Sequence, residues 1–386
     1  MFAASDPAGR SAHTRDAVPR WLKRLAYRLD PSARRIQRFA ERRYCRRLRP
    51  GDIAYLWPLT STQVYRDARE RGAFIVNERI NCHRATSTRI LDEAYRRLGR
   101  PPQHGITEEA VREETAKLQL CDYIFAPSSP VARSLRDAGI PEEKILRSSY
   151  GWDPERLARE GKGLERVEGV TALFVGRGCV RKGVDLLAHA WAKAEVPGRL
   201  YLVGNMDAEI GEICSGPFAR ADIVRFPHTG DIGPIYRSAD LFLFPSLEEG
   251  SPLVLYEAMA CGLACVVSPM AAGDIVRPGV DGLVVDPLDQ EAWVSSIRRL
   301  TRDSDLRKSL GEAARLRALD YTWDKVAAQR RALLLKAYRE RMPKKGWRPD
   351  MVGVDRPPLP ERGSDSPKEG SLRPAPRIDA RSETDP

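Results

Sequence analysis

The chain has 386 residues, too many for one ordinary hydrophobic core, which points to two domains. Lys and Arg number 64 against 53 Asp and Glu, a net charge of +11 that admits anionic partners, while 42% hydrophobic residues suffice for globular packing. No apolar stretch approaches a membrane span, and Met1 to Arg20 lacks the apolar core of a signal peptide. The seven cysteines, at 45, 82, 121, 179, 214, 261 and 265, form no C-x-x-C pair and no zinc spacing. They read as reduced core thiols of a cytosolic protein.

Residues 1–17 are small and polar and are expected to be disordered. Trp21, Leu22, Leu25, Ala26 and Leu29 then fall at helical spacing among basic residues, and a second basic helix is expected over 33–47. Residues 18–47 thus form a candidate surface for an anionic membrane, although an arginine-rich outer face of two domain helices fits equally. Strands follow at 52–57 and 73–77, with a helix over 61–71 between them. His83 and Arg84 come just after the second strand, where ligands bind in open α/β sheets. His83 is therefore a candidate to contact substrate, or simply a loop histidine. Helices over 85–98 and 108–119, a strand at 122–128, a helix over 131–138 and a short strand at 145–146 complete this half.

The second half alternates regularly. Strands are expected at 172–176, 200–204, 223–226, 241–244, 264–268 and 282–285, with helices over 183–194, 232–237, 253–260, 289–300, 305–319 and 322–341. Such βα alternation predicts a doubly wound parallel sheet with covered faces. From 343 onward the chain is rich in Pro, Ser, Asp, Arg and Gly, and a disordered tail is expected.

Chemistry concentrates in two stretches. Leu241-Phe242-Leu243-Phe244 reads as a buried strand, and Gly250-Ser251-Pro252 as a turn with Ser251 at the N-cap and Pro252 at the first helical position. Leu253 to Ala260 then forms a short helix closed by Gly262. Free amides at that helix start make an anion site. Glu249 lies in the turn and Glu257 two helical turns later, near the same face. Carboxylates beside an anion site suit a ligand that also carries hydroxyls, as a nucleotide sugar does. Two glutamates alone also fit a solvated acidic turn before a core helix. The other stretch, Gly176-Arg177-Gly178-Cys179-Val180-Arg181-Lys182-Gly183, ends the first strand of the second half and brings Arg177 and Lys182 to the sheet's mouth.

Glu249-Gly250-x6-Glu257-Ala258-Met259-Ala260-Cys261-Gly262 resembles the E-x7-E signature of retaining glycosyltransferases of family 4, glycosyl transferases group 1. Gly176-Arg177 with Lys182-Gly183 resembles that family's G-R-x4-K-G, and Gly204-Asn205, Thr229-Gly230, Gly273-Asp274-Ile275-Val276 and Asp281-Gly282-Leu283-Val284 are similar to further family positions. Tyr150-Gly151-Trp152-Asp153 resembles the turn before the domain crossing. The likeness covers roughly residues 120–320. It implies an α/β GT-B fold, with two Rossmann-like doubly wound domains facing across a cleft. An acceptor-side domain over 18–150, a nucleotide-sugar domain over 151–320 and a helix at 321–342 returning to the first domain would follow. The family's opening strand and glycine turn are not found, so either the N-terminal domain is a reduced version or the true start lies upstream of Met1.

By resemblance, Glu257 would hold the ribose hydroxyls and Glu249 the transferred sugar. Arg177, Lys182 and the amides of Gly250, Ser251, Pro252 and Leu253 would hold the diphosphate, and Gly204, Thr229 and Gly230 the nucleoside. No metal and no cofactor are implied beyond the nucleotide-sugar co-substrate. The expected activity is retaining transfer to a glycan or lipid-linked acceptor in bacterial surface-polysaccharide or lipopolysaccharide assembly. It would take place in the cytoplasm, or peripherally on the inner face of the cytoplasmic membrane. A non-catalytic sugar-nucleotide-binding protein, or another GT-B enzyme such as an epimerase or phosphorylase, are the alternatives. A nucleic-acid partner rests on charge alone and is not expected.

Overall fold

Two parallel sheets of different completeness organise the molecule. The computed structural model describes residues 34–342 together with the short strands β1 (Phe2–Ala3) and β2 (Arg15–Asp16), which pair in parallel. That pair departs from the expectation of a structureless start. The expected basic helix over 18–29 and the expected tail from 343 onward lie outside the described residues.

The first sheet contains β3 (Ile53–Leu56), β4 (Phe74–Glu78), β5 (Tyr123–Ala126) and β6 (Ile145–Arg147), in the order β3-β4-β5-β6. The order never reverses. Right-handed crossovers that always step the same way put every crossover helix on one face. The residues sort accordingly. Ala54, Leu56, Ile75, Ile124 and Ala126 pack with Val64, Tyr65, Leu118, Val131 and Leu135 of the crossover helices. Their sequence neighbours Tyr55, Phe74, Val76, Tyr123 and Phe125 point the other way, as the period of two requires. That second face is covered by the last helix, Trp323–Arg341, through Leu333, Leu334 and Tyr338. Tyr338 meets Phe74 edge to face at 5.1 Å and donates to the Gly51 carbonyl at 2.7 Å.

The second sheet has the full doubly wound order β12-β11-β10-β7-β8-β9. Its strands are β7 (Val170–Val175), β8 (Gly198–Val203), β9 (Ile223–Phe226), β10 (Leu241–Phe244), β11 (Ala264–Val267) and β12 (Leu283–Val284). The chain runs outward from β7 to β9, then returns to lay β10 on the other side of β7. The reversal between β7 and β10 opens a crevice at their carboxyl ends, the usual ligand position in such sheets. Both strands are buried at every residue, which accounts for their unbroken apolar runs.

The expected elements among the described residues lie within two residues of their observed bounds. Pro154–Ala158, Ala208–Ile213, Ser215–Phe218 and Pro269–Ala272 are short helices that periodicity did not signal. The two chain crossings between the sheets run side by side. Trp152 donates to Tyr321 O at 3.0 Å, and Trp323 donates back to Trp152 O at 3.1 Å. A Cβ on Gly151 would stand 2.6 Å from Tyr321 O, so only glycine allows this approach.

Phe74→Ala and Tyr338→Ala should each cost about 3 kcal/mol in urea unfolding. The double variant should cost less than the sum by at least ~0.5 kcal/mol, because both act on one contact. Additive losses would show that the last helix does not complete this core.

Candidate active site

Each cluster of site residues sits at the carboxyl end of a second-sheet strand. After β7 the backbone turns at Gly176 (φ +151°), and after β8 at Gly204 (φ +135°). A Cβ on Gly204 would come within 2.1 Å of Gly176 O, so the two strand ends touch through backbone alone. This leaves a cavity of about 550 Å³ lined by Gly176, Arg177, Gly204, Thr229, Arg156 and Glu257, among others. Gly230 follows Thr229 but is not part of the lining.

Glu257 is buried at the back of this cavity. It accepts from the Tyr236 hydroxyl at 3.0 Å and pairs with Arg156 at 2.8 Å. Burial raises its carboxyl above the ordinary glutamate value, and Arg156 and the Tyr236 hydrogen bond pull it back down. Arg177 stands at the mouth, largely exposed, in a 2.6 Å ion pair with Asp207.

The Glu249 stretch differs from expectation in three respects. The helix starts at Leu253 as expected, but Pro252 rather than Ser251 holds the N-cap position. Pro252 has no N–H, so it supplies a fixed φ and cannot donate to an anion. Ser251 does not cap the helix; its hydroxyl bonds the Tyr256 hydroxyl at 2.7 Å. Glu249 is buried, accepts from Ser246 Oγ at 2.8 Å and forms an ion pair with Lys182. Lys182 Nζ also lies 5.2 Å from the Phe244 ring centre. The structure thus joins Lys182 to Glu249 and Arg177 to Asp207.

His83 needs a larger correction. Its side chain is turned into the first half of the molecule, with Nδ1 accepting from Ala85 N at 3.2 Å and Nε2 3.1 Å from Thr115 Oγ1. It is spent as the N-cap of helix Arg84–Arg97. Burial lowers its pKa, which favours the neutral ring that this cap requires. A buried capping imidazole cannot meet a substrate across the cleft, as the catalytic expectation required.

The neighbouring Glu248 carries more than its sequence position signalled. Its side chain is 1% exposed. It accepts from Asn81 Nδ2 at 2.9 Å, Cys82 N at 3.1 Å and Ser87 Oγ at 3.1 Å, with Arg181 at 3.4 Å. The first three donors come from the first half of the molecule and Arg181 from the second. Ile80 O sits so close to Gly250 that a Cβ there would lie at 1.5 Å. Asp274 makes a similar bridge to Ser129 N at 2.9 Å and Arg147 at 3.1 Å. Between the halves lies a second cavity of about 750 Å³, which meets the first at Arg177 and Asp207. Arg156, Tyr236, Asp207 and Glu248 were missed in sequence; the doubled glutamate at 248–249 was the one visible signal.

Comparison with known proteins now bears on this geometry. Residues 169–303, which contain both chemical stretches, match the family model described as Glycosyl transferases group 1. The D-inositol 3-phosphate glycosyltransferase of Salinispora arenicola is 33% identical over 214 residues, 48% of this chain and 44% of the relative. A protein of the same name from Thermobispora bispora is 29% identical over 262 residues, 58% of each chain. The chain spans about half the length of the curated relatives it matches. Among solved structures, the sucrose-phosphate synthase of Thermosynechococcus elongatus aligns with TM-score 0.65 at 20% identity, over 81% of this chain and 80% of that one. Anabaena Alr3699/HepE in complex with UDP aligns with TM-score 0.60 at 14% identity, over 84% and 85%. The fold is GT-B, with a first sheet of four strands facing a complete second one.

Glu248→Ala should cost about 3 kcal/mol in urea unfolding, because it strands several buried donors and the Arg181 charge. A loss below ~0.5 kcal/mol would show that Glu248 does not hold the halves together.

Proposed function

We propose that the chain transfers a sugar from a nucleotide-sugar donor to an acceptor hydroxyl, with retention of configuration and without a metal ion. The observation that carries this is the convergence of Glu257, Arg177, Gly204 and Thr229 on one cavity at the reversal point of the second sheet, beside a larger cavity between the halves. In this proposal Glu257 accepts the ribose hydroxyls, and Thr229 with Gly204 and the adjoining Gly230 borders the nucleoside. Arg177 leaves Asp207 for the diphosphate, joined by amides of Gly250, Ser251 and Leu253. Glu249 holds hydroxyls of the transferred sugar, with Lys182 as the counter-cation that keeps a buried carboxylate ionised.

As the bond from the sugar's anomeric carbon to the phosphate oxygen breaks, negative charge grows on the nucleoside diphosphate. The cations Arg177 and Lys182 stabilise it there. The acceptor oxygen forms the new bond on the same face, and its proton passes to the leaving phosphate oxygen. No cofactor enters this scheme.

The acceptor, by this proposal, is a glycan or lipid-linked sugar in surface-polysaccharide or lipopolysaccharide assembly, met in the cytoplasm or at an anionic membrane. The exposed arginines 35, 38, 42 and 43 on helix Arg34–Cys45 support the membrane contact. Among the described residues no helix is long and apolar enough to cross a membrane.

A thermal-shift panel of nucleoside diphosphates and nucleotide sugars tests the donor site, with UDP and UDP-glucose first because structures of the Anabaena neighbour contain them. A ligand that stabilises the wild type and not Glu257→Ala is the expected result; equal shifts would refute the role of Glu257. The panel's pH dependence has a fixed sign. Glu257 accepts hydroxyls well only when ionised, and its pKa is raised. Affinity should therefore be full above that raised pKa and fall on acidification, before an exposed glutamate would titrate. Glu257→Gln should flatten the profile.

A further inference from the structure

Tyr256 lies inside the glutamate stretch yet takes no part in the scheme above, although it is fully buried and doubly hydrogen-bonded. Its hydroxyl oxygen accepts from Tyr150 N at 3.1 Å, and the same hydroxyl stands 2.7 Å from Ser251 Oγ. Its ring meets Tyr321 edge to face at 5.4 Å. Tyr150 is on the outgoing chain crossing and Tyr321 on the returning one. One side chain therefore touches both crossings and the turn that precedes helix Leu253–Ala260.

Burial pushes the Tyr256 phenol well above the ordinary tyrosine value, so it keeps its proton. With its oxygen accepting from Tyr150, that proton is available to Ser251 Oγ. The Ser251 hydroxyl has no other hydrogen-bond partner among the described residues. Gly250 before it has no side chain and Pro252 after it has no N–H, so this hydroxyl is the side-chain handle by which the turn can be fixed.

The connection continues into the first half. The Tyr150 hydroxyl shares its proton between Glu78 Oε1 at 3.0 Å and Arg79 O at 2.8 Å, at the carboxyl end of β4. Arg330 of the last helix donates to Ser149 O at 3.1 Å and pairs with the same Glu78. Tyr150 is thus held by its phenol to the first sheet and by its amide to Tyr256.

Backbone donors serve an anion best when they are already aimed, because ordering them on binding costs affinity. We propose that Tyr256 is a positioning residue for the donor: its hydroxyl holds the turn at 250–253 ready for the diphosphate, and through Tyr150 it makes that order depend on the first sheet. This rests on the transferase reading above, which places the diphosphate at those amides.

The experiment uses the full chain. The Kd of UDP, or of the nucleoside diphosphate that the thermal-shift panel selects, is measured by isothermal titration at a temperature where circular dichroism shows each variant folded. Tyr256→Phe keeps the ring against Tyr321 and removes only the hydroxyl; it should raise Kd about tenfold. Ser251→Ala, at the other end of the bond, should act to a similar degree, and the double variant should be no worse than either single one. Tyr150→Phe keeps the amide and cuts the bonds to Glu78 and Arg79; it should raise Kd about threefold. A residue that only stabilises the fold leaves Kd unchanged in a variant that stays folded.

An unchanged Kd in Tyr256→Phe or in Tyr150→Phe would overturn the proposal, whatever happens to the melting temperature. Additive losses for Tyr256→Phe and Ser251→Ala would overturn it too, by showing that the two hydroxyls act separately. If Tyr256→Phe does not fold, Ser251→Ala and Tyr150→Phe decide, and an unchanged Kd in either one overturns the proposal. Wild-type protein that binds no nucleoside diphosphate would instead count against the transferase reading, so the two failures are distinct.

Discussion

The structure depends on a covering problem. A four-stranded sheet whose strands follow chain order carries its crossover helices on one face and leaves the other face bare. That face presents Tyr55, Phe74, Val76, Tyr123 and Phe125, far too much apolar surface to leave in water. The chain resolves this by crossing to the second sheet, completing it, and returning with Trp323–Arg341. Arg330 on that helix forms an ion pair with buried Glu78 and lies over the Phe125 ring at 4.4 Å. Tyr150, at the outgoing crossing, donates to the same Glu78 at 3.0 Å. One carboxylate thus ties the first sheet, the crossing and the last helix, so the four-stranded sheet comes with a firm attachment to the rest.

That attachment determines where the cavities lie. Helix Arg84–Arg97 belongs to the first half by sequence, yet Ala94 and Tyr95 pack in the core of the second. Glu248 and Asp274 add bridges from the second half to the loop after β4 and the loop after β5. The larger cavity is the space these contacts enclose, and Arg177 with Asp207 forms its border with the smaller one. Two of these junction carboxylates, Glu78 and Glu248, are buried. Each is costly to bury alone and tolerable only with its donors in place, so each favours a single relative placement of the halves.

The second sheet was legible because its signals were local and redundant. Apolar runs gave β7, β8, β10 and β11, glycines marked the strand ends, and paired glutamates flanked a short helix. Glu257 and Arg177 followed from those signals, Gly204 and Thr229 from the family resemblance, and the four share one cavity. The first half was legible as strands and helices but not as chemistry. His83 occupies a ligand-prone position in the chain, yet its ring caps a helix, and capping depends on a rotamer that sequence does not reveal. Arg156 and Tyr236 act through a partner at least 21 residues away, as in the Tyr236–Glu257 pair, separated by 21 positions. No spacing rule connects such residues. Pro252 shows a finer limit, since a one-residue shift of the N-cap changes which groups at the helix start can donate.

The central claim is that the reversal point of the second sheet binds the nucleotide. Hydrogen–deuterium exchange of the full chain, with and without a saturating nucleoside diphosphate, tests this most directly. Protection should concentrate in 176–182, 203–207, 228–232 and 250–257, which border one crevice although they are far apart in sequence. Protection elsewhere, or none under conditions of proven binding, would contradict the account.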